Sequence, residues 1–210
     1  MNIHPFAALR LRSPRLELRL ASHEELVELA EVARRGVHDP AEMPFEVAWT
    51  DRFDEPGFVE EFVAFHDGQL SRSRAGDWHL ELVAFAGASP IGVQGIGATR
   101  FAETRAFRTG SWLARSRQGR GLGTEMRAAV LTFAFDRLGA EIAESATWER
   151  NAPSLAVSRK LGYVDVGSRT PAPRGEPLVH RELRLERAAF TGRVAIEVDG
   201  LEAALPLLLA

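Results

Sequence analysis

The chain contains no cysteine among its 210 residues. That excludes a disulfide framework and any thiolate metal site, and it is compatible with a reducing compartment. Long apolar runs are missing too. Residues 201–210 are apolar, but they are too few to span a bilayer and Pro206 interrupts them. The opening residues, Met1 to Phe6, hold no basic region followed by a long apolar run, so no secretory leader is expected. Charge of one sign is also scarce. A net charge of −3 sets up no global field toward nucleic acid or an acidic membrane. The arginines are not interleaved with stacking aromatics, which weighs against an RNA-binding module. Neither an internal repeat nor a low-complexity linker is present. What remains is an ordinary globular composition, 45% hydrophobic and 26% charged, sufficient for one core and one domain. A cytoplasmic location is the expectation.

The most informative stretch is Gln118, Gly119, Arg120, Gly121, Leu122, Gly123 and Thr124. Its glycines let the backbone bend tightly and approach a ligand without Cβ interference. The apolar-periodic segment that follows predicts a helix, whose first turn adds unpaired N–H groups and a partial positive charge. Together these form a seat for a phosphate or pyrophosphate. A P-loop needs a lysine after its second glycine, and none is there. The dinucleotide fingerprint starting at Gly119 needs a glycine where Thr124 stands, although Glu141 or Glu144 lies at the right distance beyond. The residues before the loop, Arg115 to Arg117, are also unlike a buried first strand. A plain surface turn capping a helix is the bland alternative.

The same letters resemble the Gln/Arg-x-x-Gly-x-Gly/Ala loop that holds the acyl-CoA pyrophosphate in the GNAT N-acetyltransferase superfamily. A second segment, Asn151 to Tyr163, resembles the N-x-x-S-x-x-V-x-x-K-L-G-Y/F signature of its RimJ/RimL-like branch. The resemblance covers roughly Arg15 to Arg187. It implies an α+β GNAT fold, with a central mixed, mostly antiparallel sheet flanked by helices. It also implies a GNAT domain over 1–187 and a C-terminal extension over 188–210, packing on the domain or on a partner subunit, which admits a homodimer. The implied activity moves an acetyl group from acetyl-CoA to a primary amine by direct attack, with no metal and no covalent enzyme intermediate. The acceptor is a protein N-terminus or a small amine. A catalytically silent acyl-CoA sensor or interaction module is the competing reading, since a fold alone does not establish turnover.

Periodicity predicts the elements. Residues 15–20 alternate as a half-buried strand, and Ser22 with Glu25 forms a capping box that opens a helix stopping at Gly36. A second helix is predicted over 55–74, with Phe58, Phe62 and Phe65 on one side. Strands follow at 78–85, 91–101 and 108–114. The helix after the glycine loop carries Leu122, Met126, Ala129, Val130 and Phe133 on one stripe, leaving Arg127, Asp136 and Arg137 outside it. Then come a strand at 140–148, a short helix at 151–161 and strands at 163–167 and 179–185, the last of which closes the series.

Acetyl transfer needs a held thioester, a polarised carbonyl, a neutral amine and a leaving thiolate. Main-chain amides from Gln118 to Thr124 would hold the pyrophosphate, with Arg117 and Arg120 either helping or forming a solvated basic turn. The resemblance implies that amides near Leu113 and Ala114 face the thioester oxygen, where fixed donors stabilise the developing oxyanion. Asn151, Ser154 and Ser158 share one helix face, and Asn151 suits an N-cap. A capped helix with two exposed serines accounts for the same letters. Most GNAT enzymes carry a tyrosine at the position of Ser158. A hydroxyl there hydrogen-bonds the developing thiolate, and Asn151 holds CoA or an ordered water. Tyr163 reads as packing. An alkyl ammonium must lose its proton before it attacks. Glu81, Glu103, Glu144, Glu149, His79 and His180 are all candidate bases, and none stands apart in the sequence. By analogy the acceptor pocket draws on His38, Asp39, Met43, Phe45, Trp49 and Trp78, although core aromatics explain several of these equally well.

Overall fold

Ser22 accepts a hydrogen bond from the Glu25 amide while the Glu25 carboxylate accepts from the Ser22 amide, so the predicted capping box opens the first helix. The computed structural model describes residues 4–210; residues 1–3, on which part of the leader expectation rests, lie outside it. The chain runs β1 (Arg10–Arg12), β2 (Glu17–Arg19), α1 (His23–Arg34), α2 (Phe58–Arg72), β3 (Asp77–Ala86), β4 (Ser89–Thr99) and a single turn α3 (Phe101–Thr104). It continues through β5 (Ala106–Leu113), α4 (Leu122–Arg137), β6 (Ile142–Trp148), α5 (Ala152–Leu161), β7 (Val164–Arg169), β8 (His180–Glu186), β9 (Glu197–Asp199) and α6 (Leu201–Leu208). The strands form one sheet in the order β7-β8-β6-β5-β4-β3-β2-β1-β9. Among the described residues only β5 and β6 pair in parallel, so the sheet is mixed and mostly antiparallel, as the resemblance implies. Helices α1 and α2 pack their apolar stripes on one face through Val83, Phe85 and Val93. Helix α4 and the C-terminal α6 share the core of the other face with Leu80, Leu82 and Phe107.

Four expectations change, and residues 188–210 take a definite place. Strands β1 and β9 are three residues each, too short to show an alternating pattern, so β8 does not close the series. The buried stripe of α2 is Phe58, Phe62 and His66, one helical turn apart, while Phe65 is 49% exposed. Residues 188–210 supply β9, which pairs with β1, and α6, whose Ala204 and Leu208 are fully buried in the main core. Trp78 belongs to that core too: its indole N–H donates to the Leu208 carbonyl at 3.2 Å, and it does not line the main cavity. Finally, α4 is buried all round from Met126 to Phe135. A helix enclosed on every side has no outward face on which to place Arg127.

Among the described residues, no helix is long and apolar enough to cross a membrane.

Candidate active site

The site begins where the two parallel strands part. Strands β5 and β6 pair only from Ala106–Ile142 to Thr109–Ser145, yet β5 continues to Leu113 and β6 to Trp148. The Ser145 hydroxyl donates to the Thr109 carbonyl at 3.1 Å and closes the paired end of this wedge. On the far side of β5, a Cβ at Gly92 would stand 2.3 Å from the Trp112 carbonyl oxygen. Glycine there lets β4 approach the diverging end of β5. The wedge opens into a cavity of about 1290 Å³. Single-ligand pockets run to roughly 300–1,000 Å³, so this one has room for two reactants.

One mouth of the cavity is the glycine loop. Gly119 and Gly121 have φ of +73° and +77°, the left-handed region that favours glycine. Among the described residues, no group accepts a hydrogen bond from the amides of residues 119–124. Gly119, Gly121, Gly123 and Thr124 line the cavity, and a Cβ at Gly119 or Gly123 would enter open space that a ligand can fill. Unpaired amides at a helix start are an anion site. The loop is braced from behind. Gln118 donates through Nε2 to the carbonyls of Val37 (2.7 Å) and Leu113 (2.8 Å), so its side chain fastens the loop. Its own amide donates to Arg115. Glu125, in the first turn of α4, accepts from Ser13 and Arg15, and Arg15 also donates to the Arg120 carbonyl at 3.0 Å. Burial pushes the Glu125 carboxyl up, but Ser13 and Arg15 outweigh it and hold the group below its ordinary value. Arg117, Arg120 and Leu122 do not line the cavity, and Leu122 is buried in the core.

The expected oxyanion donors divide. Leu113 lines the cavity, but the Ala114 amide donates to the Ile91 carbonyl at 2.8 Å, so sheet pairing withdraws it from the wedge. On α5, Asn151 and Ser154 line the cavity, with Asn151 Oδ1 accepting from the Ser154 amide at 3.1 Å as the N-cap. That leaves the Asn151 amide N–H groups for a ligand. Ser158 behaves differently. It is 1% exposed, it does not line the cavity, and its Oγ accepts from Arg127 Nη1 at 3.0 Å. The serine expected to meet the departing sulfur is therefore buried behind the wall, and so is not the exposed helix serine of the plainer reading either, with Arg127 on the cavity wall instead.

Arg127 is 5% exposed, and it is the one formally charged Arg, Lys, Asp or Glu in the buried set among the described residues. Its Nη2 donates to Ser111 Oγ at 3.1 Å, while its Nε has no partner. Burial pushes its guanidinium down from the ordinary value, against the opposing influence of the nearby Tyr163 hydroxyl. A guanidinium stays protonated in proteins regardless. Burying such a charge with only hydroxyl partners costs on the order of several kcal/mol. Nothing in a helix pattern signals this; only the enclosure of α4 turns Arg127 inward. Tyr163 packs as expected, with its hydroxyl 3.3 Å from Thr109 Oγ1.

At the other end of the cavity the candidate bases separate. Glu81, His79 and Glu103 do not line it; Glu81 is bound to His79, and Glu103 to Arg100. Glu144 and Glu149 line it but are paired with Arg108 and Arg181. His180 is both on the wall and 6% exposed, with its ring 4.4 Å from that of Trp148. Burial, and then the charge of Arg169, push its imidazole below the ordinary value, while Glu46 and Glu182 pull the other way. Its Nδ1, the Trp148 Nε1 and the Thr147 Oγ1 are all buried without a protein partner, and all three residues line the cavity. His38, Asp39, Met43 and Phe45 line the cavity, whereas Trp49 packs into an aromatic cluster with Phe53, Phe58, Phe62 and Trp112. Two clamps hold the walls together. Arg169 grips Glu46 with bonds of 2.7 and 2.6 Å, and Arg174 grips Asp51 through Nε at 2.8 Å. Among the described residues, no three His, Asp or Glu side chains converge as metal ligands would.

The wedge, the glycine loop and the residues lining both can now be set beside known proteins. The acetyltransferase (GNAT) domain family matches residues 15–164, well over half of the chain. The chain belongs to the GNAT acetyltransferases. That family comprises acetyl-CoA-dependent N-acetyltransferases, and the expectation of a RimJ/RimL-like branch agrees with the solved structures that this GNAT chain resembles. Mycobacterium smegmatis RimJ in complex with CoA-disulfide superposes with a TM-score of 0.69 at 20% identity, over 88% of this chain and 90% of that one. RimL, the ribosomal L7/L12 α-N-protein acetyltransferase in complex with coenzyme A, gives 0.69 and 20% over 83% and 95%. A chimera of the spermidine N-acetyltransferase SpeG from Vibrio cholerae and hSSAT gives 0.63 and 14% over 83% and 96%. At these identities the likeness is one of fold.

Proposed function

We infer that this GNAT chain transfers the acetyl group of acetyl-CoA to a primary amine, either a protein N-terminus or a small amine, by direct attack. The observation that carries the reading is the row of unpaired amides from Gly119 to Thr124, at the start of α4 and at the mouth of the β5–β6 wedge. They are suited to a diphosphate, and the wedge is suited to the extended arm that follows one. RimJ and RimL neighbours solved with coenzyme A support the donor. Both a ribosomal-protein and a spermidine acetyltransferase stand among the neighbours, which supports an amine acceptor of either size.

His180 would take the proton that the ammonium must shed. An imidazole that burial holds below its ordinary value is in the neutral form that can accept a proton, and Thr147 and Trp148 line the cavity beside it. Asn151 and Ser154 would contact the donor from the α5 side. The lack of cysteine fits action in the cytoplasm. The test is release of free thiol from acetyl-CoA with a panel of N-terminal peptides and polyamines. Turnover with one class supports the reading. Tight CoA binding without thiol release against any acceptor would instead identify a silent acyl-CoA module.

A further inference from the structure

Arg127 presents a problem that the fold does not solve. Its guanidinium is buried on the cavity wall, no carboxylate pairs with it among the described residues, and its two terminal nitrogens donate only to the hydroxyls of Ser158 and Ser111. If the residue served only to fasten β5, α4 and α5 together, a neutral side chain would do so without the desolvation of a charge. A buried cation beside a reaction cavity is complete only when an anion arrives. Acyl transfer from a thioester generates one such anion, on sulfur. Ser158 occupies the position from which the family resemblance expects the sulfur to be met, and that serine is itself held by Arg127.

We propose that Arg127 is a catalytic residue: its guanidinium meets the sulfur of the acyl carrier and holds the leaving thiolate, while Ser158 and Ser111 position it. This rests on the acetyl-transfer reading above. In that transfer the amine nitrogen bonds to the carbonyl carbon, the carbon–sulfur bond breaks, and its electron pair stays on sulfur. The nitrogen sheds one proton before attack and one after it, to His180 and to water. Arg127 gives up no proton. It pairs with the thiolate, which takes a proton from water once coenzyme A has left. A tyrosine at position 158 would act by donating a proton; a fixed positive charge at 127 makes that donation unnecessary.

The proposal has a readout independent of turnover. The thiol of coenzyme A bound to the whole enzyme is titrated by thiolate absorbance, beside free coenzyme A. An opposite charge in contact with it should lower the bound thiol's pKa by about one unit or more, a tenfold rise in thiolate fraction below neutrality of the thiol. Arg127→Met, of similar volume, should abolish that shift with coenzyme A still binding by calorimetry, and Arg127→Lys should restore part of it. Turnover should fall in kcat more than KM rises. Adding Ser158→Ala to Arg127→Met should cost nothing further, because Ser158 acts through the arginine. A bound thiol that titrates like the free one in the wild type overturns the proposal and leaves the acetyl-transfer reading standing. Failure of coenzyme A to bind at all overturns that reading instead. If Arg127→Met leaves the thiol unchanged but loses only acyl donors with a terminal carboxylate, the guanidinium recognises the acyl group and the proposal is wrong. Should Arg127→Met not fold, Ser158→Ala together with Ser111→Ala keeps the charge but frees it, and must diminish the shift.

Discussion

The two ends of the cavity are built on different principles. The end proposed for the acyl donor is backbone: unpaired amides presented by glycines in the left-handed region, braced by Gln118, Arg15 and Glu125 from behind. The end proposed for the acceptor is side chain: two arginine–carboxylate clamps joining residues 46 and 51 to 169 and 174, over a wall of buried polar atoms without partners. A diphosphate presents the same geometry in every acyl-CoA, so a rigid amide cradle suits it. An acceptor differs from enzyme to enzyme, and exposed clamps between long segments can change without disturbing the core. Between the two ends stands Arg127, which belongs to neither principle.

The glycine loop is the most sensitive to substitution. Gly121→Glu should weaken coenzyme A binding by more than about 100-fold, since a side chain at φ +77° is strained and a carboxylate repels the diphosphate. Unchanged affinity by calorimetry, in a protein with an unchanged circular dichroism spectrum, would move the donor site elsewhere. At the acceptor end, His180→Gln should lower kcat/KM by about 100-fold, the low end of what a positioned base contributes. Burial lowers its pKa from the ordinary histidine value, so His180 stays uncharged to a lower pH than a free imidazole and the rate should fall in an acid limb below the free-imidazole range. Arg169, Glu46 and Glu182 set where the limb lies. The variant should lose this acid limb; a limb that persists unchanged assigns the base to another group.

The clamps should give the smallest effect. Replacing both Arg169 and Arg174 by Gln should raise the acceptor KM about threefold and leave coenzyme A affinity as it was, because exposed ion pairs contribute little each. Salt should move wild type in the same direction through screening. Equal losses at both ends would mean that the cavity is one cooperative unit rather than two.

Much of the donor end is legible in the sequence because it depends on local requirements. Glycine spacing, the N-cap at Asn151 and the capping box at Ser22 are each decided within a few residues of chain. The same holds for most strands and helices, whose periodicity reflects one buried face. Legibility fails where a residue's environment is made by distant parts. The pattern of α4 places Arg127 toward solvent, since a helix stripe cannot show that α5 and the sheet cover the remaining faces. Ser158 looks exposed for the same reason. Ala114 looks available until its amide is found paired with Ile91 across the sheet. Glu81 and His180 have similar letters around them, yet only the pairing of Trp148 with His180 brings the histidine to the cavity.

By itself, then, the order of residues decided the fold class and the glycine loop at the start of α4, because both follow from short-range backbone geometry and from one-sided burial. Which charge is buried, which amide is withdrawn and which imidazole lines the cavity were decided by tertiary packing. Desolvation and hydrogen-bond competition act through neighbours that are far away in the chain, and only the folded chain brings those neighbours together.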